Sequence, residues 1–276
     1  MTLEKKIGGR LVKEPMKTDM KMLCWNVNGL RSILRKGYVD WLKGENADIV
    51  CVQETKASED QIPSNVKHLS GYRSYFASPQ EKKGYSGVGL YTKEEPPSIS
   101  YGFGIKKFDN EGRCIIADYG KFILMNIYFP NGKMSRERLD YKMAFYDVFL
   151  EHVDALKKQG RKIIICGDMN TAHTELDIAR PKENSKKSGF LPEERAWMDK
   201  FEAHGFIDTY RVFEKEGGHY SYWDMRTGAR ERNVGWRIDY FFVSPDLVEA
   251  KCVKDTFIDN DIYGSDHCPI GLVVEI

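Results

Sequence analysis

Polar residues able to bind a metal ion or a phosphate close one apolar run after another: Asn26 and Asn28, Glu54, Asn131, Asp168 and Asn170, Asp239, and finally Asp266 beside His267. A single Asn or Asp after a strand is ordinary turn chemistry, because its side chain bonds the nearby backbone. Six runs ending this way imply a shared polar site along one edge of the sheets, where ligand sites gather. The atoms on offer are carboxylate and amide oxygens, one imidazole and the phenol of Tyr128. Hard oxygen ligands without thiolates suit Mg²⁺ or Mn²⁺ better than zinc. Mg²⁺ takes one or two carboxylates and keeps waters for a substrate phosphate, so Glu54 and one aspartate suffice and the remaining acids are left for proton work. His267 next to an acid, with Asp239 on another strand, reads as an imidazole whose second nitrogen a carboxylate fixes. The reaction class that matches is metal-assisted attack of water on a phosphate ester. Serine nucleophile chemistry fits poorly, since there is no G-x-S-x-G elbow. The glycine cluster at 84–89 opens a strand and is neither a P-loop nor a dinucleotide fingerprint.

Short runs rich in Ile, Val, Leu, Tyr and Phe must position these residues: "MKMLCWNVN", "DIVCVQE", "YRSYFAS", "SGVGLYT", "CIIADY", "KFILMNIYFPN", "RKIIICGDMN", "WRIDYFFVS" and "CPIGLVVEI". Their length and β-branched content predict strands. Helical patterns lie between them at Leu30 to Lys43, Arg136 to Lys158 and Pro192 to His204. In the second, Leu139, Met143, Phe145, Tyr146, Phe149, Leu150 and Val153 form one apolar stripe. Strands apolar on both faces predict sheets covered on each side, a layered α/β architecture. No linker or repeat divides the chain, so residues 20–276 are read as one catalytic domain.

A chain of 276 residues, 41% hydrophobic and 12% aromatic, can bury a large core. No apolar run approaches membrane-spanning length. Residues 1–19 mix Lys, Glu, Arg, Pro and Thr without the apolar stretch of a signal peptide, and are expected to be a flexible arm. Cysteines 24, 51, 114, 166, 252 and 268 lie far apart inside apolar runs, as small buried hydrophobes of a reducing cytosol. A net charge of +1 makes any nucleic-acid contact a matter of local basic faces. Such stretches, mixed with Gly, Tyr and Trp, occur at 28–37, 81–87, 131–138 and 222–236. In the last, Arg226, Arg230, Arg232 and the adjoining Arg237 accompany Trp223 and Trp236, a combination suited to phosphate contact and groove insertion.

Taken together, "WNVNGLR", "QETK", "GYSGVGLYT", "IYFPNG", "GDMNTAH", "RNVGWRIDYFFVS" and "GSDHCPIGL" resemble, in order and spacing, the exonuclease III family of apurinic/apyrimidinic endonucleases from Met22 to the C-terminus. The resemblance implies a four-layer α/β sandwich, two packed mixed β-sheets flanked by helices. It also implies Mg²⁺-dependent cleavage of duplex DNA 5′ to abasic sites. Carried over by residue, Glu54 is the principal metal ligand with Asn28 and Asp266. Asp168 and Asn170 sit against the scissile phosphate, and His267, held by Asp239, contacts phosphate or activates water. Whether Asp168 or His267 is the base stays open. Tyr128, Asn131 and Asn26 complete the polar shell. Tyr222, Trp236 and Ile238 match an apolar pocket for the extruded sugar, and Arg31, Lys36 and Tyr85 match backbone contacts. Two departures touch the substrate range. Met225 and Arg226 stand where some relatives carry two apolar wedge residues, and Lys133 adds a charge after "PNG". The expected partner is double-stranded DNA with abasic or otherwise damaged sites, the expected state a monomer, and the expected compartment a prokaryotic cytosol. The rival is a phosphoesterase of the same fold acting on a non-DNA phosphoester.

Overall fold

In this computed structural model the described residues are 4–7, 10–13 and 19–276. Glu4–Ile7 (β1) and Arg10–Lys13 (β2) pair antiparallel as a separate ribbon. The rest of the expected arm, up to residue 18, lies outside the described residues. Asp19 belongs to the fold, since it opens the next strand and pairs with Glu275.

Two six-stranded mixed sheets follow. One contains Asp19–Asn26 (β3), Ile49–Gln53 (β4), Arg73–Ala77 (β5), Val88–Thr92 (β6), Val253–Ile258 (β13) and Ile270–Glu275 (β14), in the order β13-β14-β3-β4-β6-β5. The other contains Ser98–Tyr101 (β7), Cys114–Asp118 (β8), Ile123–Tyr128 (β9), Ile163–Asp168 (β10), Ile207–Asp208 (β11) and Asp239–Val243 (β12), in the order β11-β12-β10-β9-β8-β7. Met22, Cys24, Leu90, Leu124, Ile164, Cys166, Phe241 and Leu272 belong to the core cluster shared by the two sheets. Helices Arg136–Lys158 and Pro192–Ala203 cover the second sheet through Phe145, Phe149, Trp197 and Phe201. Leu30, Ile33, Tyr38 and Leu42 cover the first. The four-layer sandwich is therefore helices, sheet, sheet, helices.

The helix expected from Leu30 to Lys43 is broken into Leu30–Leu34 and Tyr38–Glu45, because Gly37 turns left-handed between them with φ 87°. All six cysteines are buried and unpaired. Polar ties cross the inter-sheet layer: Gln53 Nε2 donates to Asn126 Oδ1 at 2.7 Å, Asn126 Nδ2 donates to Gly89 O at 2.8 Å, and Tyr119 Oη donates to Thr92 Oγ1 at 2.9 Å. A satisfied buried network of this kind fixes how the sheets align. Among the described residues no helix is long and apolar enough to cross a membrane.

Candidate active site

Strand register sets the geometry. Asp168 ends β10 between Tyr128 on β9 and Asp239 on β12, its direct partners on the two sides. Asn26 ends β3 beside Gln53, which places Glu54 just past the neighbouring strand end. Gly167 permits the close approach: at φ 148° a Cβ added there would lie 1.7 Å from Ile127 O. Asn28, Glu54 and Asn170 hold left-handed backbones, with φ 45°, 56° and 52°. Such conformations cost about 1–3 kcal/mol each and gather at functional sites.

At the centre, the buried Asp168 carboxylate accepts Asn26 Nδ2 at 2.9 Å, the Asn170 backbone N–H at 2.7 Å and Asn170 Nδ2 at 3.2 Å. Asn131 Nδ2 donates to Asn170 Oδ1 at 3.0 Å, extending the amide chain. His267 Nδ1 meets Asp239 Oδ2 at 2.8 Å, and its Nε2 stands 3.9 Å from Asp168 Oδ2. Ligand atoms of Asp168, Asp239 and His267 all lie within 4.8 Å of one another. Burial opposes a charged imidazole at His267, but Asp239 outweighs it, with Asp168 and Asp266 adding, and raises the group to about 10. Burial, then the nearby Asp239 charge, raises Asp168 to about 7 against the pull of His267, Asn170 and Asn26. Tyr128 is driven well above the ordinary phenol value, first by burial and then by Glu54 and Asp168, so it stays a neutral donor.

Two groups of donors could hold a divalent ion. In Asp168, Asp239 and His267, Nδ1 and Asp239 Oδ2 already bind each other, and Asp239 Oδ2 also accepts Ser221 Oγ at 2.6 Å. A metal there would have to displace these bonds. The second group consists of hard oxygens already gathered by a cation. Lys56 Nζ sits 3.0 Å from Glu54 Oε1 and donates to Asn28 Oδ1, while Asn28 Nδ2 donates to Asp266 Oδ1 at 2.8 Å. The ammonium stands in for a positive ion among amide and carboxylate oxygens, the donor set that Mg²⁺ and Mn²⁺ prefer.

Beside the centre, Tyr222 and Trp236 pack with Ala172, Ile178, Phe190 and Ile238 in an apolar cluster. The Tyr222 ring lies 4.9 Å from the His267 ring. Lys133 Nζ stands 5.7 Å from the Tyr222 ring and 5.9 Å from Trp236, at a cleft of about 500 Å³ that Arg180, Asn184, Lys186 and Lys187 also line. Arg31 and Arg226 are exposed. Tyr85 Oη accepts from Arg113 at 2.7 Å and from Arg138 at 2.5 Å, and Lys36 donates to Gly264 O at 2.6 Å.

Comparison with known proteins completes the identification. Residues 23–267 match the model of the Endonuclease/Exonuclease/phosphatase family. The chain belongs to that family. Within it, the chain is 42% identical over 259 residues to an exodeoxyribonuclease of Bacillus subtilis, covering 93% of this chain and 100% of that protein. It is 43% identical over 268 residues to a DNA-(apurinic or apyrimidinic site) endonuclease of Dictyostelium discoideum, covering 94% and 71%. An AP endonuclease structure from Archaeoglobus fulgidus superposes with TM-score 0.84 at 30% identity, covering 93% of this chain and 100% of that one. The motif resemblance and the layered fold are both borne out.

Family membership does not explain every residue around the site. Arg237, read with the basic loop, is buried: its Nε meets Asp177 Oδ1 at 2.7 Å and its Nη2 meets Asp208 Oδ2 at 2.6 Å. It anchors the Trp236–Ile238 segment from beneath and offers nothing to a phosphate. Burial alone would push Asp177 up, yet Arg237 and Arg211 hold it well below the usual carboxylate range. A depressed carboxyl contributes stability that is present above its unfolded value of about 3.9 and lost as pH falls through the folded one. Asp177→Asn should therefore cost about 3–5 kcal/mol at neutral pH in urea unfolding, with the gap from the parent narrowing in acid. An unchanged midpoint would contradict this account of the network.

Sequence reasoning missed three further groups. Ser221 supports Asp239, Lys56 joins Glu54 to Asn28, and a buried pair ties the Asn170 turn to the pocket floor. In that pair the three donors of Lys142 are used by Asn170 O, Thr171 Oγ1 and Glu194 Oε1, at 2.7, 2.7 and 2.6 Å. Glu194 also accepts the Gly189 and Leu191 N–H groups, fixing the loop that carries Phe190. The visible hint was a lysine inside the apolar stripe of a long helix.

Proposed function

We propose that this protein incises duplex DNA on the 5′ side of abasic sites by divalent-metal-assisted attack of water, with 3′-to-5′ exonuclease and 3′-end trimming activity. The observation that carries the reading is the convergence of Asp168, Asp239 and His267 within 4.8 Å, beside the apolar Tyr222–Trp236–Ile238 cluster. The partner is abasic or otherwise damaged double-stranded DNA, engaged by a cytosolic monomer. A base-free sugar costs little to rotate out of the stack, so a close-fitting apolar pocket turns that low cost into selectivity.

Asp168, near 7, is the group suited to take a proton from water at neutral pH, while His267 remains an imidazolium donating Nε2–H to a phosphate oxygen. Asp239 holds that imidazolium through Nδ1, and Asn170 Nδ2 and the Tyr128 phenol add neutral donors to the charge clamp. Asn26 and Asn131 orient Asp168 and Asn170. Glu54, Asn28 and Asp266 would hold Mg²⁺, or Mn²⁺ in its place, which when bound supplies positive charge to the phosphate oxygens. Arg31, Lys36 and Tyr85 track the backbone.

The pH profile follows from these assignments. Asp168 must be deprotonated to act, so kcat on an abasic duplex should rise about tenfold per pH unit toward 7, level off, and fall only near 10 as His267 loses its proton. A profile flat from pH 5 to 7 would remove Asp168 from the proton's path. Arg226, exposed on its loop, enters the groove, and Lys133 faces the pocket, which would also let a nucleotide keeping a damaged base be incised. Arg226→Ala should weaken binding to damaged duplex about fivefold or more at moderate salt. Unchanged affinity would count against insertion.

The rival phosphoesterase is distinguished by competition. A mixture of abasic duplex and a soluble phosphoester should be consumed duplex first; faster turnover of the soluble ester would overturn the DNA reading.

A further inference from the structure

The loop from Tyr222 to Arg232 is a wall with two sides. Tyr222 contributes to the pocket already described, while the next residue, Trp223, belongs to a separate cleft of about 290 Å³ whose lining includes Lys36, Met225, Arg230, Tyr263 and Asp266. Trp223 is buried, and the Arg230 guanidinium lies 4.7 Å from its ring centroid and 4.1 Å from that of Tyr263. Tyr263 is nonetheless 69% exposed and Met225 65% exposed.

The ring of Tyr263 is carried on a braced turn. Arg230 Nη2 donates to Asn260 O and Ile262 O, both at 2.7 Å, and Lys36 Nζ donates to Gly264 O at 2.6 Å. Gly264, at φ 132°, lets the turn approach the helix below: a Cβ there would lie 2.5 Å from Ile33 Cδ1. The result is a preorganised aromatic face, backed by a cation, exposed to solvent, and sharing Asp266 with the candidate metal group.

We propose that this cleft stacks an unpaired nucleobase from a single-stranded part of the DNA substrate, such as a frayed end or an overhang. The inference rests on the DNA reading above and extends it to the flank of the site. A nucleotide can place its base on the exposed Tyr263 ring beside Met225 and its phosphate toward the exposed Lys36, a stacking platform beside a cation of the kind that holds single strands. Arg230 stays bonded to the turn, and Glu231 and Asp266 also line the cleft. An apolar peptide would have to desolvate Lys36 and Asp266 without a matching group. Lys36, assigned above to the backbone path, itself lines the cleft, so a strand held there passes beside Tyr263.

The test is equilibrium fluorescence anisotropy with Ca²⁺ in place of Mg²⁺, using a duplex bearing a short purine tail and the same duplex with a base-free tail. The parent protein should bind the purine tail about fivefold or more tighter. Tyr263→Ala should erase the difference and Tyr263→Trp should keep it, while Mg²⁺-dependent incision of a fully paired abasic duplex by Tyr263→Ala stays at the parent rate. Equal affinity of the parent for both tails overturns the inference, and so does a purine preference that survives in Tyr263→Ala. Neither result touches abasic incision, whose loss in the parent would instead overturn the function proposed above.

Discussion

Asp168→Asn protein should bind abasic duplex as the parent does and cut it about a thousandfold more slowly. The substitution keeps the shape of the side chain and one of its two acceptors: Oδ1 still takes the Asn170 backbone N–H, which holds the turn. An amide nitrogen replaces the oxygen that accepts from Asn26 and Asn170 Nδ2, so those two side-chain amides must turn over. What it removes is a proton acceptor near 7, and with it the negative charge that helps keep His267 protonated. Gel-shift affinity and single-turnover cleavage on one substrate separate the two effects. Parallel losses in both would make Asp168 a structural residue, and near-normal cleavage would remove it from the chemistry.

Glu54→Ala should retain binding and lose cleavage by about a hundredfold or more at a Mg²⁺ concentration that saturates the parent, because the charge a divalent ion gives a phosphoryl transition state amounts to several kcal/mol. Lys56 would then keep only Asn28 as its partner here, so its ammonium is free to occupy the space and compete with the ion. Part of the lost rate should therefore return at high Mg²⁺ or with Mn²⁺. A Glu54→Ala protein with the parent's rate and metal dependence would move the ion elsewhere, toward the Asp168, Asp239 and His267 group.

The interior strands were legible because they are apolar on both faces, and the site because its residues stand at one edge of the sheets. Asn26 and Asp168 end their strands and Glu54 follows one, whereas Asp239 opens β12 and Asp266 and His267 precede β14, although the sequence alone reads them as closing their runs. Edge strands were harder. Ser98–Tyr101 and Val253–Ile258 carry mostly exposed or half-exposed residues, and Ile207–Asp208 is two residues long, so hydrophobicity marks none of them. The helix break at Gly37 turns on one backbone angle. Arg237 was misread as part of a basic face because its partners, Asp177 and Asp208, are 60 and 29 positions away. The same holds for Lys142 and Glu194, 52 apart, and for Ser221 and Asp239, 18 apart. A buried ion pair leaves no local pattern, since either residue alone reads as surface.

The most direct measurement is cleavage of an end-labelled duplex carrying an abasic analogue, run beside an undamaged duplex and with Mg²⁺ or a chelator. The account predicts one cut immediately 5′ to the lesion with Mg²⁺, none with chelator, and slower attack on the undamaged strand confined to its 3′ end. An intact abasic strand with Mg²⁺ present, or a cut that chelation does not abolish, would contradict it.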